Sequence, residues 1–351
     1  MIKVGIVGAS GYTGGELTRI LINHPEVEIS CLTSRQYAGE YVHRVHPNLR
    51  GLINAQFIPH DIEKVIDKSD LIFTAVPHGS AMKIIPRIYE SGVKVIDLSA
   101  DFRLRNPKDY EKWYGLKHTC DYLLDKFVYG IPELHRDEIR NAKCVANPGC
   151  MAITSILGLA PLAKLDFVDK EHIIVDAKIG SSGAGGKPSL ATHFSERYNV
   201  IRAYKPVGHR HTAEIEQELS LLSKNTVKIS MSAHAVNMVR GILCTNHLFT
   251  RKEISIAEFW KLYREFYKNE PFIRLVRDLK GKYKYPDPKV LIGSNFCDIG
   301  FEIDNHANRI VVLSATDNLV RGASGSAVQN MNVMMGYDEA LGLNQASIYP
   351  V

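Results

Sequence analysis

The sequence has little that would place it outside the ordinary run of globular proteins. No apolar run approaches the roughly 18 residues that a bilayer-spanning helix needs. Residues 2–8, I-K-V-G-I-V-G, already read as a strand and leave no room for a signal peptide, so the expectation is a cytoplasmic protein with no membrane contact. The six cysteines, at 31, 120, 144, 150, 244 and 297, form neither a C-x-x-C pair nor a tight His/Cys cluster. That excludes a disulfide framework or a zinc site as the organising element, and it predicts reduced thiols and no metal. There is no internal repeat and no low-complexity linker. The net charge of +5 is small, and no nucleic-acid-binding motif accompanies it. The excess is concentrated: Lys261 to Lys289 holds nine Lys/Arg against four Asp/Glu. That segment is either a solvated face or a docking surface for an acidic partner.

With 351 residues, 45% of them hydrophobic, the chain can bury a full core and is expected to form about two domains. The first hundred residues alternate apolar runs with helical patterns. Ile2 to Val7, a helix with Leu17, Ile20 and Leu21 on one face, and Val27 to Thr33 make a βαβ unit. Leu71 to Pro77, a helix carrying Met82, Ile85 and Ile88, and Val93 to Leu98 continue it. Such continuous apolar runs suit parallel strands buried on both faces of a doubly wound α/β sheet. After Cys150 the character changes. Strands are expected at 173–179, 227–233, 239–249, 296–303 and 309–315, the last two joined by the turn N305-H-A-N308, in an α+β domain with an antiparallel or mixed sheet. A helix opens at the capping box S255-I-A-E258 with Phe259, Leu262 and Phe266 as its apolar stripe, and another at 324–335 carries Val328, Met331 and Met335.

The first βα turn reads G8-A-S-G-Y-T-G14. In this position glycines let backbone N–H groups approach a pyrophosphate at a helix N-terminus, so Gly8, Ser10, Gly11, Tyr12, Thr13 and Gly14 are candidate dinucleotide contacts. The second strand ends T33-S-R-Q36, where an acidic residue would accept a ribose 2′-OH and a basic one would accommodate a 2′-phosphate. With no acid there and Arg35 present, the expectation is NADP(H), held at its 2′-phosphate by Ser34, Arg35 and Gln36; the alternative is a plain surface arginine.

Cys150 stands in V145-A-N-P-G-C-M-A-I-T154, where a strand hands over to a helix. It is either a small core residue or a thiolate favoured by the helix N-terminus. A nucleophilic thiol beside a hydride donor implies attack on an activated acyl group and reduction of the resulting thioester to an aldehyde. V207-G-H-R-H-T-A-E214 supplies two histidines; His209 is the first choice for acid/base and His211 the reserve. Arg103, Lys205 and Arg210 are candidates for an anionic substrate. The loop S181-S-G-A-G-G186, with Ser181, Ser182 and Gly183, is either a phosphate cradle of backbone N–H groups or a plain turn.

The motifs together, G8-A-S-G-Y-T-G14, D97-L-S-A-D-F-R-L104, V128-Y-G-I-P-E-L134, N147-P-G-C150, G180-S-S-G-A-G-G186, H209-R-H-T212 and D317-N-L-V-R-G-A-S-G-S-A-V-Q329, span the chain. In their order they resemble N-acetyl-γ-glutamyl-phosphate reductase and its relatives in the aspartate-semialdehyde dehydrogenase superfamily. The resemblance implies a semialdehyde dehydrogenase-like fold. An NADP-binding domain over 1–149 would be completed by a C-terminal segment, 318–351, and a catalytic and oligomerisation domain would span 150–317. It also implies Cys150 as nucleophile, His209 as acid/base, Asn318 near the nicotinamide side of NADP, and a homo-oligomer, dimer or tetramer. Where the acetylglutamate enzymes follow N-P-G-C with Tyr-Pro-Thr, this chain has Met151-Ala152-Ile153-Thr154. That departure looks like the archaeal and Thermus-like branch, whose aminoadipyl or glutamyl phosphate is borne on a small acidic amino-group carrier protein for lysine or arginine synthesis. The alternatives are free N-acetyl-γ-glutamyl phosphate as substrate, or a non-catalytic NADPH-binding sensor or scaffold.

Overall fold

The computed structural model describes residues 1–251 and 255–351, which divide into two compact units. Unit 1 comprises Met1–Pro148 and Ala323–Gln345; unit 2 comprises Gly149–Gly322 and Ala346–Val351. Residues 318–322 and 346–351, grouped with the first domain from the sequence, thus lie with unit 2. The tail is held there because Ile348 N–H donates to Ile292 O (2.8 Å) and the Tyr349 hydroxyl takes a hydrogen bond from Lys282 Nζ (2.7 Å).

Unit 1 is built on six parallel strands: β1 Ile2–Val7, β2 Val27–Thr33, β3 Leu71–Thr74, β4 Lys94–Asp97, β5 Phe127–Tyr129 and β6 Cys144–Ala146, in the order β2-β1-β3-β4-β6-β5. The order reverses at β1, which is the doubly wound pattern. Every residue of β3 is buried, as two-sided helix cover requires. Helix Tyr12–Leu21 follows β1 and buries Leu17, Ile20 and Leu21. The anticipated helix carrying Met82, Ile85 and Ile88 is split: a 3₁₀ turn over Ala81–Lys83 precedes helix Ile85–Ser91. The Asp101 carboxylate explains the split, because it accepts the N–H groups of Gly79, Ala81 and Met82 and closes a separate turn there. Helix Gly325–Met335 packs against helix Pro132–Asn141 and helix Tyr12–Leu21, with Val328 and Met331 fully buried.

Unit 2 carries a seven-stranded mixed sheet: β7 Ile173–Ile179, β8 Ile201–Lys205, β9 Ile229–Val236, β10 Ile242–Phe249, β11 Ile273–Leu275, β12 Cys297–Asp304 and β13 Arg309–Thr316, ordered β11-β12-β13-β10-β7-β9-β8. The β7/β9 and β11/β12 pairs are parallel and the rest antiparallel. The 305–308 turn joins β12 to β13, with Asp304 opposite Arg309 and Asn308 at φ 48°. Strands β8 and β11 escape the sequence pattern: every residue of β8 is exposed, so no alternation marks it, and β11 is three residues long.

The helix Cys150–Ala163 is the centre of unit 2. All 13 residues after Cys150 are buried, so it is apolar on every side rather than amphipathic. Pro161 lies inside it and has no N–H to give to the Leu157 carbonyl four residues earlier. The Tyr267 hydroxyl, from helix Ile256–Tyr267, donates to that carbonyl instead, and Tyr263 donates to Gly158 O at 2.6 Å. This corrects the expected stripe. Phe259, Tyr263 and Tyr267 face inward at four-residue steps, whereas Leu262 and Phe266 are only half-buried, because the two hydroxyls are needed beneath. The Ser255/Glu258 capping box is present. Tyr267→Phe, nearly isosteric, strips a buried carbonyl of this donor and is expected to cost about 1–2 kcal/mol, read as a lower urea midpoint with unchanged slope.

Candidate active site

In unit 1 the glycine loop is shaped by contact. Gly8 has φ +88°, and a Cβ there would fall 2.4 Å from Ala75 O; a Cβ on Gly14 would fall 2.5 Å from Ala9 Cα. Gly11 is different: it heads the helix, and its missing Cβ faces only Gly8 O at 3.9 Å. No side chain caps this helix and no acidic residue occupies its first turn. An uncapped, acid-free N-terminus behind a glycine with open space fits a pyrophosphate. Ser10 and Ser34 meet side chain to side chain at 2.8 Å. Ser34 is buried, while Arg35 and Gln36 are exposed beyond the end of β2. Tyr12 is exposed, and Thr13 O takes a hydrogen bond from the Ser324 hydroxyl (2.9 Å).

Arg103, an expected anion ligand, is buried. Its guanidinium donates to Asn147 O (2.8 Å) and Leu98 O (3.0 Å), so it braces the backbone leading into N-P-G-C. The preceding D-L-S-A-D motif supports that brace. Fully buried Asp97 accepts from Thr74 (2.6 Å) and Ser99 (2.6 Å), and burial with neighbouring Asp101 pushes its carboxyl up to about 6.

All six cysteines are free thiols, and only Cys150, in unit 2, is more than marginally accessible; the other five are buried. Burial pushes Cys120 up to about 11 and Cys144 and Cys244 to about 12, so those thiols stay protonated. Cys150 is the first residue of its helix, with Gly149 as cap. Gly149 N–H donates to Glu214 Oε2 (2.8 Å), and Glu214 is completely buried. The other Glu214 oxygen lies 3.9 Å from His211 Nε2. A side chain at Gly149 would fall within 2.8 Å of both groups, so the glycine is what admits them to the backbone before the thiol.

The two histidines differ. His211 is not in a loop, as expected, but is the first residue of helix His211–Ser223, three residues before Glu214 on the same face. His209 is buried, and its Nδ1 accepts the His211 backbone N–H (3.2 Å), so the neutral ring carries its proton on Nε2, 3.3 Å from the Tyr204 hydroxyl. Burial, then Arg210 and Lys205, push His209 down to about 4. Lys205 and Arg210 are exposed, yet both act on His209. Tyr204, although 46% exposed, is pushed up to about 12, first by loss of water around its hydroxyl and then by Cys150. Cys150, Tyr204, His209, Lys205 and Arg210 therefore form one electrostatic neighbourhood. Tyr204 and Glu214 were missed from the sequence. The H-x-x-E spacing was a visible signal for Glu214, and Tyr204 had none.

The S181–G186 loop does not offer the expected cradle. The N–H groups of Ser181, Ser182, Gly183 and Gly185 are taken by carbonyls of Met238, Val239, Gly180 and Ser182. The Ser182 hydroxyl donates to Val239 O (2.6 Å) and accepts from Asn318 Nδ2 (2.9 Å), and Asn318 Oδ1 accepts Gly241 N–H (2.8 Å). Asn318 thus knits the loop to β10.

Comparison with known proteins agrees with this architecture. The family described as semialdehyde dehydrogenase, NAD binding domain, matches residues 3–142, and semialdehyde dehydrogenase, dimerisation domain, matches 150–318. The chain belongs to the semialdehyde dehydrogenase family. It is an oxidoreductase whose first unit is a nicotinamide-dinucleotide-binding domain. Among its relatives is the LysW-L-2-aminoadipate/LysW-L-glutamate phosphate reductase of Saccharolobus solfataricus, 49% identical over 99% of both chains. A Cenarchaeum symbiosum protein provisionally given the same name is 58% identical over all of both chains. Among solved structures, aspartate semialdehyde dehydrogenase II of Vibrio cholerae, complexed with ASA, superposes with a TM-score of 0.71 at 19% identity, covering 96% of this chain and 98% of its own. The Candida albicans aspartate semialdehyde dehydrogenase with NADP gives 0.70 at 15%, covering 95% and 98%. These two share the semialdehyde dehydrogenase fold. Among the described residues no helix is long and apolar enough to cross a membrane, and no cluster of His, Cys, Asp and Glu suits a metal ion.

Because the folded His209 site refuses a proton that the unfolded chain accepts at 6.5, this residue's contribution to stability is lost as pH falls from 6.5 toward 4. His209→Gln is expected to flatten the stability profile over that window by up to about 3 kcal/mol relative to the parent, measured by urea unfolding at several pH values. Parallel curves for the two proteins would show that His209 titrates normally.

Proposed function

We propose that this enzyme carries out NADPH-dependent reductive dephosphorylation of a 2-aminoadipyl or glutamyl phosphate borne on an amino-group carrier protein, giving the semialdehyde for lysine or arginine synthesis. What carries the reading is the one accessible thiol, at the start of a buried helix, in a chain 49% identical over 99% of its length to a reductase of that name. The Cys150 thiolate attacks the acyl carbon, a C–S bond forms and inorganic phosphate leaves. NADPH, when bound, supplies the hydride that reduces the resulting thioester. The tetrahedral oxyanion then expels the Cys150 thiolate and releases the aldehyde.

The histidines divide the proton work. His209, neutral at pH 7, presents Nε2–H as a hydrogen-bond donor, suited to steadying the oxyanion. His211, with Nε2 3.9 Å from a Glu214 oxygen, is the second group placed to move protons. Lys205 and Arg210 suit the substrate phosphate. NADP rather than NAD is supported by Arg35 and by the absence of an acid at the end of β2. Cytoplasmic location and association of subunits through the dimerisation domain complete the reading.

The carrier is expected to dock on the basic segment. Arg274 and Arg277 are spent on Asp298 and Glu302 from β12, and Lys280, Lys284 and Lys289 are among the exposed charges that remain for an acidic partner. The reverse reaction decides the substrate: phosphate-dependent NADP reduction with carrier-linked semialdehyde against free N-acetyl-glutamate semialdehyde. Turnover of the carrier-linked compound alone is expected, with a higher KM and unchanged kcat after charge reversal at Lys280 and Lys284. Robust turnover of the free compound would overturn the carrier reading. Cys150→Ser is expected to abolish turnover, and His211→Gln to lower kcat by about 10²- to 10⁴-fold and remove a limb of its pH profile. Retained activity in Cys150→Ser would sink the thioester route.

A further inference from the structure

We propose that His60 is a third contact for the 2′-phosphate of the cofactor, beside Ser34 and Arg35. The inference rests on the reading of Ser34 and Arg35 given above.

Residues 57–60 run alongside the end of β2. Ile58 N–H donates to Leu32 O (2.9 Å), Ser34 N–H donates to Ile58 O (3.0 Å), and Thr33 and Ile58 form a parallel bridge. This carries His60 to the carboxyl end of β2, the end of a parallel sheet at which ligands gather. There, His60 Nδ1 lies 3.0 Å from Thr33 Oγ1, which itself accepts Gly8 N–H at 3.2 Å. The Thr33 hydroxyl engages the ring at Nδ1 and leaves Nε2 on the opposite edge. The chain Gly8, Thr33, His60 thus ties the ring to the pyrophosphate loop, and a protonated ring offers an Nε2–H donor at the end of β2.

The charged group acting on His60 from the neighbouring turn is Arg35. On its own segment Asp61 is turned away to cap the next helix at Lys64 N–H (3.2 Å). Burial first, then Arg35, lowers the His60 pKa in the free protein. A phosphate dianion on Arg35 offsets that charge and draws a proton onto His60, making a charge-assisted bond. Binding then takes up a proton, so preference for NADPH over NADH grows as pH falls. A phosphate held by arginine and serine alone behaves oppositely, because its second ionisation, near pH 6, removes charge as pH falls.

Fluorescence titration of the intact protein with NADPH and with NADH, between about pH 8 and pH 6.5, measures this. The NADPH-to-NADH affinity ratio is expected to rise severalfold toward the lower pH. His60→Asn is expected to abolish the rise and weaken NADPH by about tenfold. A ratio that stays flat or falls in the parent protein overturns the inference, even if the variant does not fold. Arg35→Ala separates the two readings. Loss of NADPH preference there, with the parent's pH response absent, removes only His60. Preference that survives Arg35→Ala removes the 2′-phosphate assignment itself.

Discussion

A helix that is apolar on every side must be covered on every side, and that constraint organises unit 2. The helix Cys150–Ala163 has the sheet below it and the helices His211–Ser223 and Ile256–Tyr267 against it. Only its first residue reaches solvent, so complete burial of the body defines the position of the thiol. The cover also has to satisfy the polar groups it encloses. Tyr267 answers the carbonyl orphaned by Pro161, Thr154 donates to Cys150 O (2.8 Å), and Glu214 takes the N–H of Gly149. A buried carboxylate at the cap is thus both a structural necessity and the source of the charge beside His211.

The electrostatics of the neighbourhood follow from the same burial. His209 and His211 have different surroundings: Arg210 and Lys205 act on the first, and a Glu214 oxygen lies 3.9 Å from the second. His209 is held neutral, and its tautomer is set by the backbone of His211. The helix start at His211 is what turns the two rings to different surroundings.

In unit 1 the chemistry is carried by backbone and by small side chains. Gly8 and Gly14 are dictated by contacts with Ala75 and Ala9, while Gly11 leaves room for a ligand. Arg103 grips the backbone at Asn147, within the nucleotide-binding unit. Its motif, D-L-S-A-D-F-R, is a brace built on two buried aspartates.

Much was legible in the sequence because it depended on local pattern. The βαβ rhythm, the glycine loop, Arg35 without an acidic neighbour, and Cys150 at a helix start all follow from residue type and spacing. The corrections concern groups whose meaning depends on partners distant in the chain. Arg103 looked like a ligand until Leu98 and Asn147 claimed it. The S181–G186 loop looked like a phosphate cradle until carbonyls of Met238, Val239, Gly180 and Ser182 took four of its N–H groups. The sequence by itself determined which chemical groups are present and which elements they begin or end. Only the tertiary structure decided which of those groups are already satisfied, because hydrogen-bonding capacity and charge are used up by whatever packs alongside, and that is not a property of local sequence.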